Sequence, residues 1–223
     1  GSLLADLGAD VVKIEKPDGG DDMRQWPPVS TGDKGPGYSE NFASVNRNKR
    51  SIAVDLKDAA QVARLKRLCE KADAIVENFR PGVLDRLGLG YQTLSAASPR
   101  LVYCSINGYG HTGPYASKGA FDATVQGISG VMSVTGEPDG PPVKCGVPIG
   151  DFGAGLYAAF CLTAAILQAS RAVPGRSARV APNAAMSRKN VERITHQLRT
   201  ESSLAKRFVA RMSSAPALGE CVG

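Results

Sequence analysis

One carboxylate stands in a glycine-rich run, Pro148-Ile149-Gly150-Asp151-Phe152-Gly153-Ala154-Gly155. Behind it, Phe152 to Ser170 carries no formal charge, and Arg171 ends the run. An Asp just ahead of a long apolar segment reads first as a helix N-cap, its oxygen accepting backbone N–H bonds. The positive end of the helix dipole then favours the ionised form. The same carboxylate is also a candidate nucleophile, because the glycines let a substrate come close. No CxxC pair occurs, and His111 and His196 are the only histidines, so no zinc site is expected.

The 223 residues are 43% hydrophobic and 22% charged, an ordinary globular composition with ample length for a core. The net charge of +6 is unevenly placed: residues 171–223 hold ten Lys+Arg against three Asp+Glu, and the remainder is nearly neutral. A nucleic-acid partner is therefore not expected. Five cysteines, an odd number without paired spacing, read as reduced thiols of an intracellular protein. The expected location is cytoplasmic, or mitochondrial. The chain opens without Met inside an apparent helix, which reads as a fragment whose N-terminus is missing. Residues 152–170 are long enough to test as a membrane span, but their Gly, Ala, Tyr, Thr and Gln content predicts a buried core helix and no membrane.

The elements that must position Asp151 follow from periodicity. Ser2–Leu7 reads as a helix end with Gly8 after it, and Val11–Glu15 as a strand. Lys16–Gly37 is a long loop rich in Gly, Pro and Asp. Ser51–Leu56 is a second strand, and Asp58 caps a helix carrying Val62, Leu65, Leu68 and Cys69 on one face. Ala74–Glu77 and Leu101–Ile106 are further strands, with short helices from Pro81 to Leu87 and from Tyr91 to Ala97 between them. Phe121–Met132 reads as a helix. Strands alternating with helices predict an α/β fold, a Rossmann-like parallel sheet with flanking helices. Ligands then collect at the carboxyl ends of the strands, on the loops Lys16–Gly20, Glu77–Gly82 and Asn107–Gly119. No GxGxxG occurs there. Two domains are expected: 1–172, and a basic tail, 173–223, irregular or at most marginally helical.

Five ordered stretches carry a resemblance. They are Leu4 to Pro17, Asn46-Arg47-Asn48-Lys49-Arg50-Ser51, Val76-Glu77-Asn78-Phe79-Arg80-Pro81-Gly82, Gly108-Tyr109-Gly110-His111-Thr112-Gly113-Pro114, and the Asp151 segment. Together they resemble the class III coenzyme A transferases, and the Asn46–Asp55 stretch is most similar to members acting on dicarboxylates such as succinate and glutarate. The resemblance implies that Asp151 is the catalytic aspartate, which attacks an acyl-CoA thioester and becomes an aspartyl-CoA thioester. It implies coenzyme A as co-substrate without a metal, and a homodimer. By motif, Lys16 lies near the adenosine phosphates, Val54 in the adenine pocket, Asn78 and Phe79 at CoA contacts, and Arg86 at a phosphate, with Arg80 a neighbouring candidate. Backbone N–H groups near Gly150, Gly153 and Gly155 are the expected oxyanion donors.

Two other functions remain open. Racemases of this family place a His where this chain has Phe121, and a phenyl ring cannot carry a proton, so an acyl-CoA racemase-like isomerase is the disfavoured alternative. His111 reads as a loop residue. The other alternative is a non-catalytic CoA-binding or assembly remnant. The family's first strand, small domain and glycine loop are missing, and from about Ala181 the chain looks unrelated, so the match reads as truncated.

Overall fold

A computed structural model describes residues 1–30 and 38–171. The expected tail, 173–223, lies outside the described residues. Helix α1 (Ser2–Asp6) leads through Gly8, at φ +96°, into β1 (Val11–Glu15). A 3-10 turn (Asp22–Gln25) and two short strands, β2 (Val29–Ser30) and β3 (Tyr38–Ser39), precede α2 (Glu40–Asn46). Then come β4 (Lys49–Ala53), α3 (Ala59–Cys69), β5 (Ala74–Glu77), α4 (Val83–Arg86), α5 (Tyr91–Ala97) and β6 (Val102–Ser105). Helix α6 (Asp122–Ile128), a 3-10 turn (Val131–Val134) and the long α7 (Ile149–Arg171) complete the described chain.

The α/β class with parallel pairing is as expected, but the strands do not form one continuous sheet. β1 pairs with β4 and β5 with β6, both parallel, while β2 and β3 form an antiparallel pair. β4 is also displaced from its expected range. Its ladder runs from Val11↔Lys49 to Glu15↔Ala53, and Val54 adds one more bond, its N–H donating to the Glu15 carbonyl at 2.8 Å. The strand stops there because the Asp55 N–H donates to Gln61 Oε1 instead, which turns the chain into α3. Asp58 caps α3 as expected, accepting from the N–H groups of Ala60 and Gln61.

β6 separates two apolar clusters, because successive side chains on a strand face opposite ways. Val102 and Cys104 pack on α7 through Leu162 and the small Ala158, Ala165 and Ala169, with Leu4 of α1 at the margin. Tyr103 faces the other cluster, where Leu65, Leu89, Leu94 and Leu101 meet Val54 and Ile75. Helix α7 therefore buries one alanine-rich face. By length and composition alone it is apolar enough to cross a membrane, and its other face exposes Phe152, Leu156, Tyr157 and Phe160 within the described structure. The expectation of a buried core helix is thus met on one side of α7.

Candidate active site

Asp151 is not the cap of α7. The helix begins at Ile149, which puts Asp151 in its first turn and Pro148 immediately before it. A carboxylate in that turn often reaches back to the N–H of the cap residue, but a proline has none. The early donors are otherwise engaged: Ile149 N–H bonds Val147 O at 2.8 Å and Phe152 N–H bonds Pro148 O at 3.0 Å. The Gly150 N–H donates to Asp122 Oδ1 at 2.8 Å, so the capping carboxylate comes from α6. Among the described residues the Asp151 carboxyl has no hydrogen-bond or ion-pair partner, and its side chain is exposed over much of its surface. Partial burial, then the negative charge of Asp122, push its pKa above the ordinary carboxylate value.

The glycines flanking Asp151 differ in role. Cβ atoms at Gly153 and Gly155 would meet nothing within 4 Å, and Gly155, one turn on from Asp151 on the same side of α7, leaves the surface beside that carboxyl open to a bulky ligand. A Cβ at Gly150 would lie 3.0 Å from Asp122 Oδ1 and 3.4 Å from Val125 Cγ1. Gly150 thus serves close packing on α6, and its N–H, already bonded to Asp122, is not an available oxyanion donor.

Asp122 is itself gripped from inside. Gln126, one turn along α6 and 1% exposed, donates from Nε2 to Asp122 Oδ2 at 2.6 Å. Its Oε1 accepts the Cys145 N–H at 2.8 Å, which ties the loop entering α7 to the same side chain. The loop after β6 packs on the start of α6: a Cβ at Gly108 would sit 2.4 Å from Ala120 Cβ, so that position requires glycine. In that loop His111 Nε2 lies 3.0 Å from Ser105 Oγ and 3.2 Å from Asn107 Nδ2.

The sequence-derived binding residues fall into two groups at the carboxyl ends of the strands. Lys16 follows β1 and Val54 follows β4. Lys16 is paired with Asp22, whose hydrogen bond and charge raise the ammonium pKa, so it is not a free cation in this structure. Val54 is buried and lines a groove of about 380 Å³ with Ile52, Asp58, Gln61, Arg64 and Leu68. The second group follows β5. Asn78 Nδ2 donates to the Ile106 carbonyl at 2.5 Å, fastening the end of β5 to the end of β6. Phe79 is 43% exposed, and its N–H donates to Glu77 Oε2. Arg80 lies over Gly119, where a Cβ would meet its guanidinium at 3.0 Å. Arg86 ends α4 with its Nη1 3.5 Å from a Cβ built on Gly82. Both arginines are exposed, and neither has an ion pair among the described residues. Arg80 reaches the 119–122 segment, which continues directly into Asp122 and so to the start of α7.

Sequence reasoning missed Asp122 and Gln126 as parts of this site. Their signal was present: an acid and an amide four apart on a helix face, just upstream of the Asp151 segment. It also missed Glu15, which is buried and accepts from Arg24 at two oxygens, from Ser51 and from the Asp21 N–H. That carboxylate holds the loop carrying Lys16 and Asp22 against β1. Among the described residues no group of three His, Cys, Asp or Glu could hold a metal ion.

Comparison with known proteins gives this geometry a context. The model of CoA-transferase family III matches residues 1–217. The chain is 46% identical over 178 residues to the succinate–glutarate CoA-transferase of Agrobacterium fabrum, covering 79% of this chain and 44% of that one. It is 44% identical over 165 residues to the human succinyl-CoA:glutarate CoA-transferase, covering 74% of this chain and 37% of the relative. A crystal structure of a CaiB/BaiF family protein from Brucella suis superimposes with a TM-score of 0.73 at 42% identity, over 81% of this chain and 46% of that one. The chain thus spans less than half the length of these relatives. On the family match and these identities together, the chain belongs to CoA-transferase family III.

Proposed function

We propose that the protein transfers coenzyme A from an acyl-CoA to a carboxylic acid, with Asp151 as the nucleophile and a dicarboxylic acid such as succinate or glutarate as donor acid or acceptor. The supporting observation is the Asp151 carboxyl itself: unpartnered among the described residues, with raised proton affinity, beside the open Gly155 one turn along α7. A carboxylate that gains no stabilisation from protein donors is a better nucleophile once ionised. The names of the relatives, which act on succinate and glutarate, support the substrate class.

In the first half-reaction an Asp151 oxygen attacks the thioester carbonyl. The C–S bond breaks, leaving an aspartyl–acyl anhydride and a CoA thiolate. The thiolate attacks the aspartyl carbonyl, the anhydride C–O bond breaks, and the first acid leaves as its carboxylate. The aspartyl-CoA thioester then meets a second carboxylate, and the same two steps in reverse order release the new acyl-CoA and restore Asp151. Arg80 and Arg86, exposed and without an ion pair among the described residues, would receive phosphates, and the Val54 groove an apolar ring edge. The intermediate requires no metal and no proton-transfer partner at position 121, where Phe121 is 86% exposed at the start of α6. The homodimer and a cytoplasmic or mitochondrial site of action are part of the same proposal.

Isotope exchange tests the reading. The chain is incubated with succinyl-CoA and ¹³C-labelled succinate or glutarate. Label appearing in the CoA ester is the expected result. A folded chain that moves no label between any tested dicarboxylate and its ester contradicts the proposal.

A further inference from the structure

We propose that Gln126 is a positioning residue for the Asp151 carboxylate. By gripping Asp122 from inside the fold it makes Asp122, not Asp151, the cap of α7. Asp151 is thereby left without a partner among the described residues and beside a fixed negative charge.

Four bonds carry this. Gln126 Nε2 donates to Asp122 Oδ2 at 2.6 Å, and Asp122 Oδ1 accepts the Gly150 N–H at 2.8 Å. Gln126 Oε1 accepts the Cys145 N–H at 2.8 Å, and Nε2 has a long second contact, 3.5 Å, to the Val147 carbonyl. One amide side chain thus grips both the cap and the loop that delivers Pro148 and Ile149. Its burial matters, because at 1% exposure water cannot replace these bonds. An amide donates to a carboxylate through its NH2 and accepts from a backbone N–H through its oxygen at the same time. Leu or Met at 126 would lose both functions, and an ionised Glu would lose the donor.

The consequence for Asp151 is electrostatic as well as steric. Asp122 is the charged side chain that acts on it, and its effect adds to that of partial burial. The other elements against α7 bring little. Cys104 of β6 faces Cys161, about three turns further along α7. Tyr103 belongs to the opposite cluster, and Asp6 of α1 is bound by Arg47 and Asn48. Removing the grip frees Asp122 to leave Gly150, which weakens the negative field at Asp151.

The functional meaning of the inference rests on Asp151 being the nucleophile, but its test does not. The protonation of Asp151 is followed in the full chain by isotope-edited infrared titration of ¹³C-carboxyl aspartate, assigned by difference against Asp151→Asn. Gln126→Leu and Asp122→Asn are compared with the unaltered protein, and near-ultraviolet circular dichroism checks that each is folded. The expected result is that Asp151 titrates at lower pH in both variants. An unchanged Asp151 titration in a folded Gln126→Leu protein overturns the inference. Should Gln126→Leu not fold, Gln126→Met takes its place: its unbranched chain is of similar length and withdraws the donor to Asp122 without adding a charge, and an unaltered titration there overturns the inference equally. No acyl-CoA enters this measurement, so a chain without transferase activity still decides it.

Discussion

Replacing Glu15 by Gln tests how the candidate CoA edge is held in place. Glu15 ends β1 with its side chain 4% exposed, and Arg24 Nε and Nη2 each donate to it at 2.8 Å. The Arg24 hydrogen bond, joined by Ser51 and the Asp21 N–H, holds the carboxyl down from 4.5 to about 2 against the cost of burial. By linkage that depression would correspond to a little over 3 kcal/mol, at about 1.4 kcal/mol per tenfold change in proton affinity. Arg24 is 42% exposed, so solvent screens the pair, and about 1–2 kcal/mol is the working expectation. The amide of Gln would turn an NH2 toward donors. The stabilisation belongs to the ionised form, so it is complete above 4.5 and lost as the pH falls toward 2. Urea unfolding of the two proteins should therefore differ most near neutral pH, and by less than half as much at about pH 3. A stability gap that stays constant from pH 6 to pH 3 would refute the assignment of Glu15 as an ionised strut.

Other outcomes follow from the same geometry. Asp151→Asn should raise the melting temperature at neutral pH, because the folded state disfavours the charge on Asp151. The gain should vanish below the ordinary carboxylate value of 3.8, where both states carry a proton, and a gain that persists in acid would count against it. Arg80→Ala should weaken CoA binding by about tenfold in calorimetry, with a smaller salt dependence, since the guanidinium lies over Gly119 without an ion pair among the described residues. Gly108→Ala places a methyl 2.4 Å from Ala120 Cβ and should cost about 1–3 kcal/mol in denaturant unfolding; a neutral result would contradict the close packing of that loop on α6.

Local chemistry made much of this legible in advance. β1, β5 and β6 stood out as short apolar runs between turn residues, and α3 announced itself by Asp58 and its apolar face. Helix α2 did not, because it has no apolar period. Ser39 caps it at Phe42 N–H, and the Phe42 ring is held under Arg24 at 4.0 Å, a contact fixed by tertiary structure. β4 was misplaced because Lys49 and Arg50 look like loop residues, while the parallel ladder to β1 overrides that preference. The same limit applied at the site. Asp151 could be singled out from its glycines and its apolar follower. That another helix caps α7 could not, since the Asp122 bond to Gly150 spans 28 positions and leaves no trace in local pattern. Asn78 was legible as a residue at a strand end, but its bond to the Ile106 carbonyl shows it also joins two strand ends.

The central claim is that Asp151 forms a covalent bond to coenzyme A. Intact-mass and peptide mass spectrometry of the chain after incubation with succinyl-CoA tests it directly, with hydroxylamine trapping and Asp151→Ala alongside. The account predicts a CoA-sized adduct on the peptide containing Asp151, removed by hydroxylamine and absent from the variant. A folded chain that binds succinyl-CoA without acquiring the adduct, or that acquires it equally in Asp151→Ala, would contradict the account.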